Sequence, residues 1–250
     1  MLSRSQGIVF RTIVFGETSV ILHVFTEDLG LQSYLIKGAR KPKSKISPSI
    51  LQALHMVEFV AYHKNSGEIH TVKEIKNYPV FQEIPFHIIK SSMALFLAEV
   101  LIKTVRQHQK DPALYQFLMN SILWLDHTEM GLANFHLIFL IKLSRYLGFF
   151  PGSFEILSPE KEIPFYFDLK SGSFTLQKPL HPGFIGKPYS QHLFQLLDLN
   201  FETSAQYPLA RIERQTLLRA VLDYYAYQVD GMGTIQSLEV LHEVFEEIEN

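Results

Sequence analysis

The sequence predicts an α+β protein of two domains. A five-stranded β-barrel is expected at residues 1–80, and a mainly helical domain with a small β-hairpin (about 164–176) is expected at residues 81–250. Up to about residue 77, β-branched and aromatic residues form short runs separated by turn signals, which is typical of strands. From about residue 87 the apolar residues recur every three or four positions, as they do on the buried face of a helix.

Strands are predicted throughout the first part of the chain. They are GIVFRTIVF, TSVILHVFT after Gly16, LQSYLIKG after the turn EDLG, LHMVEFVAYH, and EIHTVKEIK after the turn KNSG. Short strands that close on themselves leave no exposed edge, and the OB-fold is a five-stranded barrel of this kind. The pattern also allows a small open sheet that packs on the second half of the chain.

Helices are predicted along most of the second part. They are SSMALFLAEVLIKTVRQH, DPALYQFLMNSILWLDH, LANFHLIFLIKLSRYLG, about residues 190–198, RIERQTLLRAVLDYYAYQV and IQSLEVLHEVFEEI. Asp111 is placed to cap the second helix, with Pro112 at its first position, and Gly148 ends the third. Between the helices, PFYFDLKSGSFTL predicts a hairpin that turns at residues 170–172, and QKPLHPGFIGKPYS predicts a connector rich in Pro and Gly.

Composition argues against bound metal, cofactors and membrane insertion. The chain has no cysteine, which excludes disulfides and thiolate zinc sites and fits a cytoplasmic protein. No two of its 11 histidines are three or four positions apart, the spacing that puts two imidazoles on one helical face. No apolar run reaches the roughly 18 residues of a membrane span, and no signal peptide is apparent.

Motifs of the common enzyme classes are not matched. GMGTIQ begins like a dinucleotide-binding fingerprint, but Gln236 stands where the third glycine belongs. GFIGKP lacks the spacing of a P-loop, and Pro188 stands where Ser or Thr should bind magnesium. GFIG also matches the G-x-x-G of KH domains, but the prolines on either side argue against flanking helices. We therefore expect a protein that is not an enzyme.

Positive charge is concentrated in KGARKPKSK, residues 37–45, which we call the basic segment. Five of its nine residues are cationic in a chain of net charge -2: Lys37, Arg40, Lys41, Lys43 and Lys45. The segment could be a solvated loop, a nuclear address or a phosphate contact. Its place between predicted barrel strands favours phosphate, because OB-folds bind oligonucleotides with such loops. Gly38, Pro42 and Ser44 predict an extended backbone whose cations can follow a phosphate chain.

Other side chains extend the candidate sites. Phe25 and Tyr34 lie on strands that run toward the basic segment and could stack on bases, although most aromatic residues at these spacings belong to a core. On the third predicted helix, Lys142, Arg145 and Tyr146 could frame a pocket for an acidic peptide that ends in an aromatic residue. The alternative is a helix end whose cations interact with the C-terminal dipole.

Motifs in both halves resemble the RecO family of bacterial recombination mediators. They are GIVFRTIVFGETSVILHVFTEDLGLQSYLIKGARKPKSK, LSRYLGFFP, FDLKSGSF and RQTLLRAVLDYYAYQVDGMGTIQSLEVLHEVF. The resemblance implies a cytoplasmic, nucleoid-associated DNA repair protein without enzymatic activity. Such proteins bind single- and double-stranded DNA and anneal complementary strands. They also contact the acidic C-terminal tail of single-strand-binding protein and act with RecR to load RecA.

The resemblance assigns the DNA contact to the five cations of the basic segment, with Arg11 of the first strand as a candidate addition. One feature departs from the family: many members carry a four-cysteine zinc ribbon after the LG-FP helix, and this chain has no cysteine there. We expect Phe165, Tyr166, Phe167 and Phe174 to pack in its place. The rival interpretations are a protein-interaction module with no DNA role and an unrecognised hydrolase.

Overall fold

Five strands close into a barrel at the start of the chain: β1 (Leu2–Phe15), β2 (Ser19–Thr26), β3 (Gly30–Ile36), β4 (Met56–Tyr62) and β5 (Ile69–Asn77). Their order around the barrel is β1-β2-β3-β5-β4, and β1 pairs with β4 to close it. The β3–β5 pair is parallel and the other pairs are antiparallel. The predicted barrel is confirmed, and the open-sheet alternative is wrong.

The first strand pairs with different neighbours along its length, and its pairing with β2 is irregular at one point. Its early residues pair with β4 and its later residues pair with β2, with an irregularity between Val9 and Arg11. An extra residue in one strand bends it and increases its twist. At Gly7 a Cβ atom would lie 2.4 Å from a methyl carbon of Val24, so the close passage of the two strands requires glycine there. Pairing with β4 early in the strand and with β2 later in it closes the barrel at β1.

The computed structural model describes residues 2–63, 69–106, 108–152 and 165–249. The predicted turn KNSG, at residues 64–67, and the first residue of the predicted hairpin, 164, lie outside the described residues. By contacts the chain forms two compact units, unit 1 (Met1–His127 and Ile235–Asn250) and unit 2 (Thr128–Thr234). None of the described helices is long and apolar enough to cross a membrane.

Unit 1 adds helices to the barrel. They are a 3₁₀ helix (Pro48–Leu51), α1 (Ile88–Thr104), α2 (Pro112–His127) and the final helix, which we number α7 (Ser237–Glu249). Asp111 caps α2 as predicted, since its carboxylate accepts the N–H of Leu114 at 3.0 Å. The buried carboxylate of Asp126 accepts the backbone N–H groups of residues 82–84, at 2.9 to 3.0 Å, and so ties the segment after the barrel to the end of α2.

Unit 2 consists of four helices and a small sheet within the described residues. The helices are α3 (Leu132–Tyr146), α4 (Tyr189–Leu196), α5 (Phe201–Ser204) and α6 (Arg211–Gln228). The sheet holds β6 (Tyr166–Asp168), β7 (Ser173–Thr175) and β8 (Phe184–Ile185) in the order β7-β6-β8. The predicted hairpin is present as β6 and β7, and the predicted Pro/Gly-rich connector supplies a third strand. The predicted fold class is confirmed.

Candidate nucleic-acid interface

The basic segment follows β3 and leads toward the 3₁₀ helix. All five of its cationic side chains are exposed. The prediction of an extended backbone is wrong, because the segment folds into turns: Lys41 donates its N–H to Gly38 at 3.2 Å and Ser44 donates to Lys41 at 2.9 Å. Gly38 adopts a positive φ of 71°, which few other residues tolerate. The turns concentrate the cations instead of spreading them along a line.

The basic segment is attached to the turn between β1 and β2. The backbone N–H of Arg40 donates to the carbonyl of Thr18 at 2.9 Å, and its guanidinium lies 3.4 Å from the carbonyl oxygen of Glu17. Ala39, between the exposed cations, is buried and packs with the barrel core. OB-folds bind oligonucleotides with the loop between strands 1 and 2. The structure therefore holds the cations beside the loop that this kind of barrel uses for binding.

The outer face of β1, β2 and β3 begins beside the β1–β2 turn, to which the basic segment is attached. Directly paired residues of neighbouring antiparallel strands lie on one face of a sheet. Because Val20, Leu22 and Val24 are buried in the barrel, the alternate residues face outward. These outward rows are Phe15–Ser19, Ile13–Ile21–Leu35 and Arg11–His23–Ser33.

This outer face combines charge with apolar surface. Arg11 is exposed, and burial together with the Arg11 charge lowers the pKa of the neighbouring His23, so Arg11 supplies the positive charge near neutral pH. Phe15, at the end of β1 beside the turn, is 51% exposed. A base can therefore reach the ring of Phe15 without any change in the barrel. Its position at the end of a predicted strand, directly before Gly16-Glu17-Thr18, is the sequence signal that could have identified it.

Phe25 and Tyr34 are both buried, whereas a ring that stacks on a base must be exposed. Phe25 is fully buried, with its ring stacked on Phe10 at 5.7 Å and tilted against Tyr115 of α2 at 6.4 Å. Tyr34 is 1% exposed in the barrel core, where its ring packs edge-on against Phe59. Bases cannot reach either ring while the fold is intact. We therefore leave both residues out of the proposed DNA contact.

The three candidates on α3 do not form an open cationic pocket. The Lys142 ammonium donates to the carbonyl of Leu197, at the end of α4, at 2.7 Å. Burial lowers the pKa of Lys142, as does the charge of Arg145. Arg145 is exposed and its guanidinium lies 3.9 Å from the ring centre of Phe150, while Tyr146 is half-buried. Arg145 is the member of this group that a partner can reach most easily.

The aromatic residues of the small sheet pack as predicted, with one exception. Phe165, Phe167 and Phe174 are buried, with ring centres 4.8 Å apart for Phe167–Phe174 and 5.8 Å for Phe165–Phe174. Tyr166 is half-exposed on the opposite face, because successive residues of a strand point to opposite sides. Within the described residues, no group of three or more metal-ligating side chains is present.

Models of two protein families match the chain, and together they cover most of it. "Recombination protein O N terminal" matches residues 1–78, and "Recombination protein O C terminal" matches residues 85–236. The chain belongs to the RecO family. The RecO N-terminal model covers the whole barrel, which ends at Asn77.

Relatives of similar length support the RecO assignment. The "DNA repair protein RecO" of Bacteroides fragilis (strain ATCC 25285) is 34% identical over 247 residues, or 98% of this chain and 100% of the relative. The proteins of the same name from Flavobacterium johnsoniae and Azobacteroides pseudotrichonymphae are 37% identical over 249 residues and 35% identical over 246, with the same coverage. RecO membership supports a role in DNA repair and recombination.

Proposed function

We propose that this chain is a recombination mediator without enzymatic activity, which binds single- and double-stranded DNA and anneals complementary strands at the nucleoid. The observation that carries the proposal is the attachment, through Arg40, of a segment with five exposed cations to the β1–β2 turn of an OB-like barrel. Cations that neutralise phosphates release condensed counterions, which supplies affinity that does not depend on sequence. This affinity suits a protein that must act on any pair of complementary strands.

The residues of the interface account for annealing without a catalytic group. Two DNA strands repel each other through their phosphates, and a compact cluster of exposed Lys and Arg side chains lowers that repulsion for both strands at once. Arg11 extends the positive charge onto the outer face of β1 to β3. Phe15 gives a base of one strand a ring to stack on, which holds the strand extended for pairing.

The chain is further proposed to act with partners in loading RecA onto DNA that is coated by single-strand-binding protein. We place the contact with the acidic C-terminal tail of that protein at Arg145, whose guanidinium lies over Phe150. An acidic tail with an apolar end would pair with the cation and pack on the ring beneath it. RecR is the proposed second partner, and we assign no surface to it.

A strand-annealing assay in EDTA without nucleotide tests the proposal. Two complementary fluorescent oligonucleotides should pair faster with the wild-type chain than without protein. K41A/K43A should slow this pairing, because it removes two cations of the basic segment. A matched control, K73A/K110A, also removes two exposed lysines of unit 1 and should leave the rate unchanged. If the wild-type chain does not accelerate pairing, the proposed function is wrong and a protein-interaction module is favoured.

A further inference from the structure

The outer face of the small sheet in unit 2 carries side chains that the core does not use. In the register of β6, β7 and β8, Phe167 pairs with Phe174 and Ile185, and both Phe residues are fully buried. The alternate rows face the other way: Tyr166 pairs with Thr175, and Asp168 pairs with Ser173 and Phe184. Tyr166 and Phe184 therefore lie on the face opposite the aromatic core, and both are partly exposed.

The two outward aromatic rings form a small platform. The rings of Tyr166 and Phe184 are 5.6 Å apart at 81°, an edge-to-face pair. A Cβ atom on Gly186 would lie 3.3 Å from the ring of Tyr166, so this ring lies close to the backbone after β8. Partly exposed rings on the open face of a sheet are what single-stranded nucleic acids stack on, because every base has a π-face.

Two lysines are associated with this platform, one by a measured contact and one by its position in the chain. The Lys178 ammonium lies 5.6 Å from the ring centre of Phe184. Lys187, directly after Gly186, is also exposed. Lys178 and Lys187 thus offer positive charge to the phosphates of a strand that lies across the rings.

In the outward rows of this sheet, as far as the structure describes them, Asp168 is the one carboxylate. It accepts hydrogen bonds from the backbone N–H of Lys170 at 2.9 Å and of Ser171 at 3.3 Å, and His181 lies 3.2 Å away. The N–H of Gly183 donates to the other nitrogen of His181, which leaves the nitrogen facing Asp168 to donate its proton. The negative charge is therefore directed into the β6–β7 turn instead of toward the platform.

We propose that the outer face of β6, β7 and β8 is a second binding site for single-stranded nucleic acid. Bases stack on Tyr166 and Phe184, and phosphates contact Lys178 and Lys187. The inference rests on the proposed function, since it takes the chain to bind DNA. The second site is formed by residues of unit 2 alone, whereas the basic segment belongs to unit 1. Charge and stacking rings together favour a nucleic acid over an acidic peptide, which would pair with the lysines but would not need two exposed rings.

Photo-cross-linking with an oligonucleotide that carries 5-iodouracil tests the proposal on the full chain. Iodouracil cross-links to aromatic side chains that stack on it, and digestion followed by mass spectrometry identifies the peptide. We expect cross-links at Tyr166 or Phe184 in addition to those at the barrel. F184L keeps an apolar side chain but removes the ring; it should abolish its own cross-link and weaken single-strand binding about fivefold or more. The control Y78L removes an exposed ring in unit 1 that also lies beside a lysine, and it should change neither.

Each outcome decides the inference. Wild-type cross-links confined to the barrel, with unchanged affinity of F184L, would exclude the second site and leave the proposed function standing. An absence of binding by the wild-type chain would overturn both. If an oligoglutamate peptide binds at this face and no cross-link forms there, the face is a peptide site and the inference is wrong. The wild-type cross-link map decides the question even if F184L does not fold.

Discussion

The carboxylate of Glu99 on α1 accepts hydrogen bonds from the backbone N–H and the hydroxyl of Ser237, the first residue of α7, at 2.8 and 2.6 Å. It also accepts the N–H of Gln236 at 3.0 Å and pairs with the Lys103 ammonium at 2.9 Å. The first N–H groups of a helix have no partner within it, and a negative charge is favourable there. Glu99 therefore joins α1 to the start of α7 within unit 1.

Glu99→Gln should destabilise the chain. The substitution removes the charge from three hydrogen bonds, and its amide group places N–H donors opposite other donors. We expect the free energy of unfolding to fall by about 1–3 kcal/mol in urea denaturation. The control Glu239→Gln removes a charge from the exposed first turn of α7 and should have a smaller effect. Equal effects of the two substitutions would show that the contact with α7 contributes little.

The same contact predicts an acid-sensitive step in stability. Burial acts to raise the pKa of Glu99, but hydrogen bonds from Ser237, Gln236 and Lys103 lower it to about 2. Because the unfolded chain binds this proton more readily, the contribution of Glu99 is complete above about pH 4.5 and is lost as the pH falls toward 2. Thermal denaturation of wild type should therefore lose more stability between about pH 5 and 3 than that of Glu99→Gln. Parallel losses would contradict this.

Two histidines of the barrel predict a second pH effect. The rings of His63 and His70 are 4.5 Å apart, and His63 bonds Ser3 at 2.7 Å and Tyr34 at 3.2 Å. Burial lowers the pKa of both, and the two charges would also repel, which lowers the pKa of His63 further. The unfolded chain then binds more protons, so their contribution to stability is complete above about pH 6.5 and declines below it.

Replacing one ring of this pair should make stability less dependent on pH. His70→Phe keeps an aromatic ring but cannot be protonated, so the slope of unfolding free energy between about pH 7 and 5 should become shallower. Tyr62→Phe, which alters another ring of the barrel without removing a histidine, serves as the control and should keep the wild-type slope. A His70→Phe slope equal to that of wild type would show that the pair does not titrate in this range.

Phe15 and Phe25 should respond to alanine in opposite ways. Phe15→Ala removes an exposed ring, so we expect weaker binding of single strands, by about 1–3 kcal/mol, and little change in stability. Phe25→Ala removes a buried ring and should lower the free energy of unfolding by about 3–5 kcal/mol. Anisotropy of a labelled oligonucleotide and urea denaturation measure the two effects. Normal binding by Phe15→Ala would remove this residue from the interface.

The core of the small sheet should be stable without zinc. Phe174 is fully buried against Phe167 and, at 5.3 Å, Phe194, and Phe174→Ala should cost about 3–5 kcal/mol. Tyr166→Ala is the control and should cost less because its ring is half-exposed. We expect EDTA to leave the melting temperature unchanged. One equivalent of zinc per purified chain, measured by elemental analysis, would contradict the replacement of the ribbon by aromatic packing.

The periodicity of the apolar residues is enough to predict the barrel and the main helices. The concentration of charge is enough to predict that the basic segment is exposed. Features that depend on contacts between residues far apart in the chain could not be predicted from these patterns. Phe25 is covered by Phe10 and by Tyr115 of α2, and the carbonyl that Lys142 contacts lies 55 residues away. The strand β8 has two residues in a segment rich in Pro and Gly, too short for any period to appear. Such contacts arise only when the chain folds.

The salt dependence of single-strand binding tests the central claim most directly. The five cations of the basic segment are exposed, so changing Lys37, Arg40, Lys41, Lys43 and Lys45 to alanine should leave the fold intact. If they contact phosphates, the slope of log affinity against log salt should fall by about 2–3, at about 0.7 per phosphate, while K73A/K110A keeps the wild-type slope. An unchanged slope in the five-alanine variant would show that the basic segment does not bind DNA.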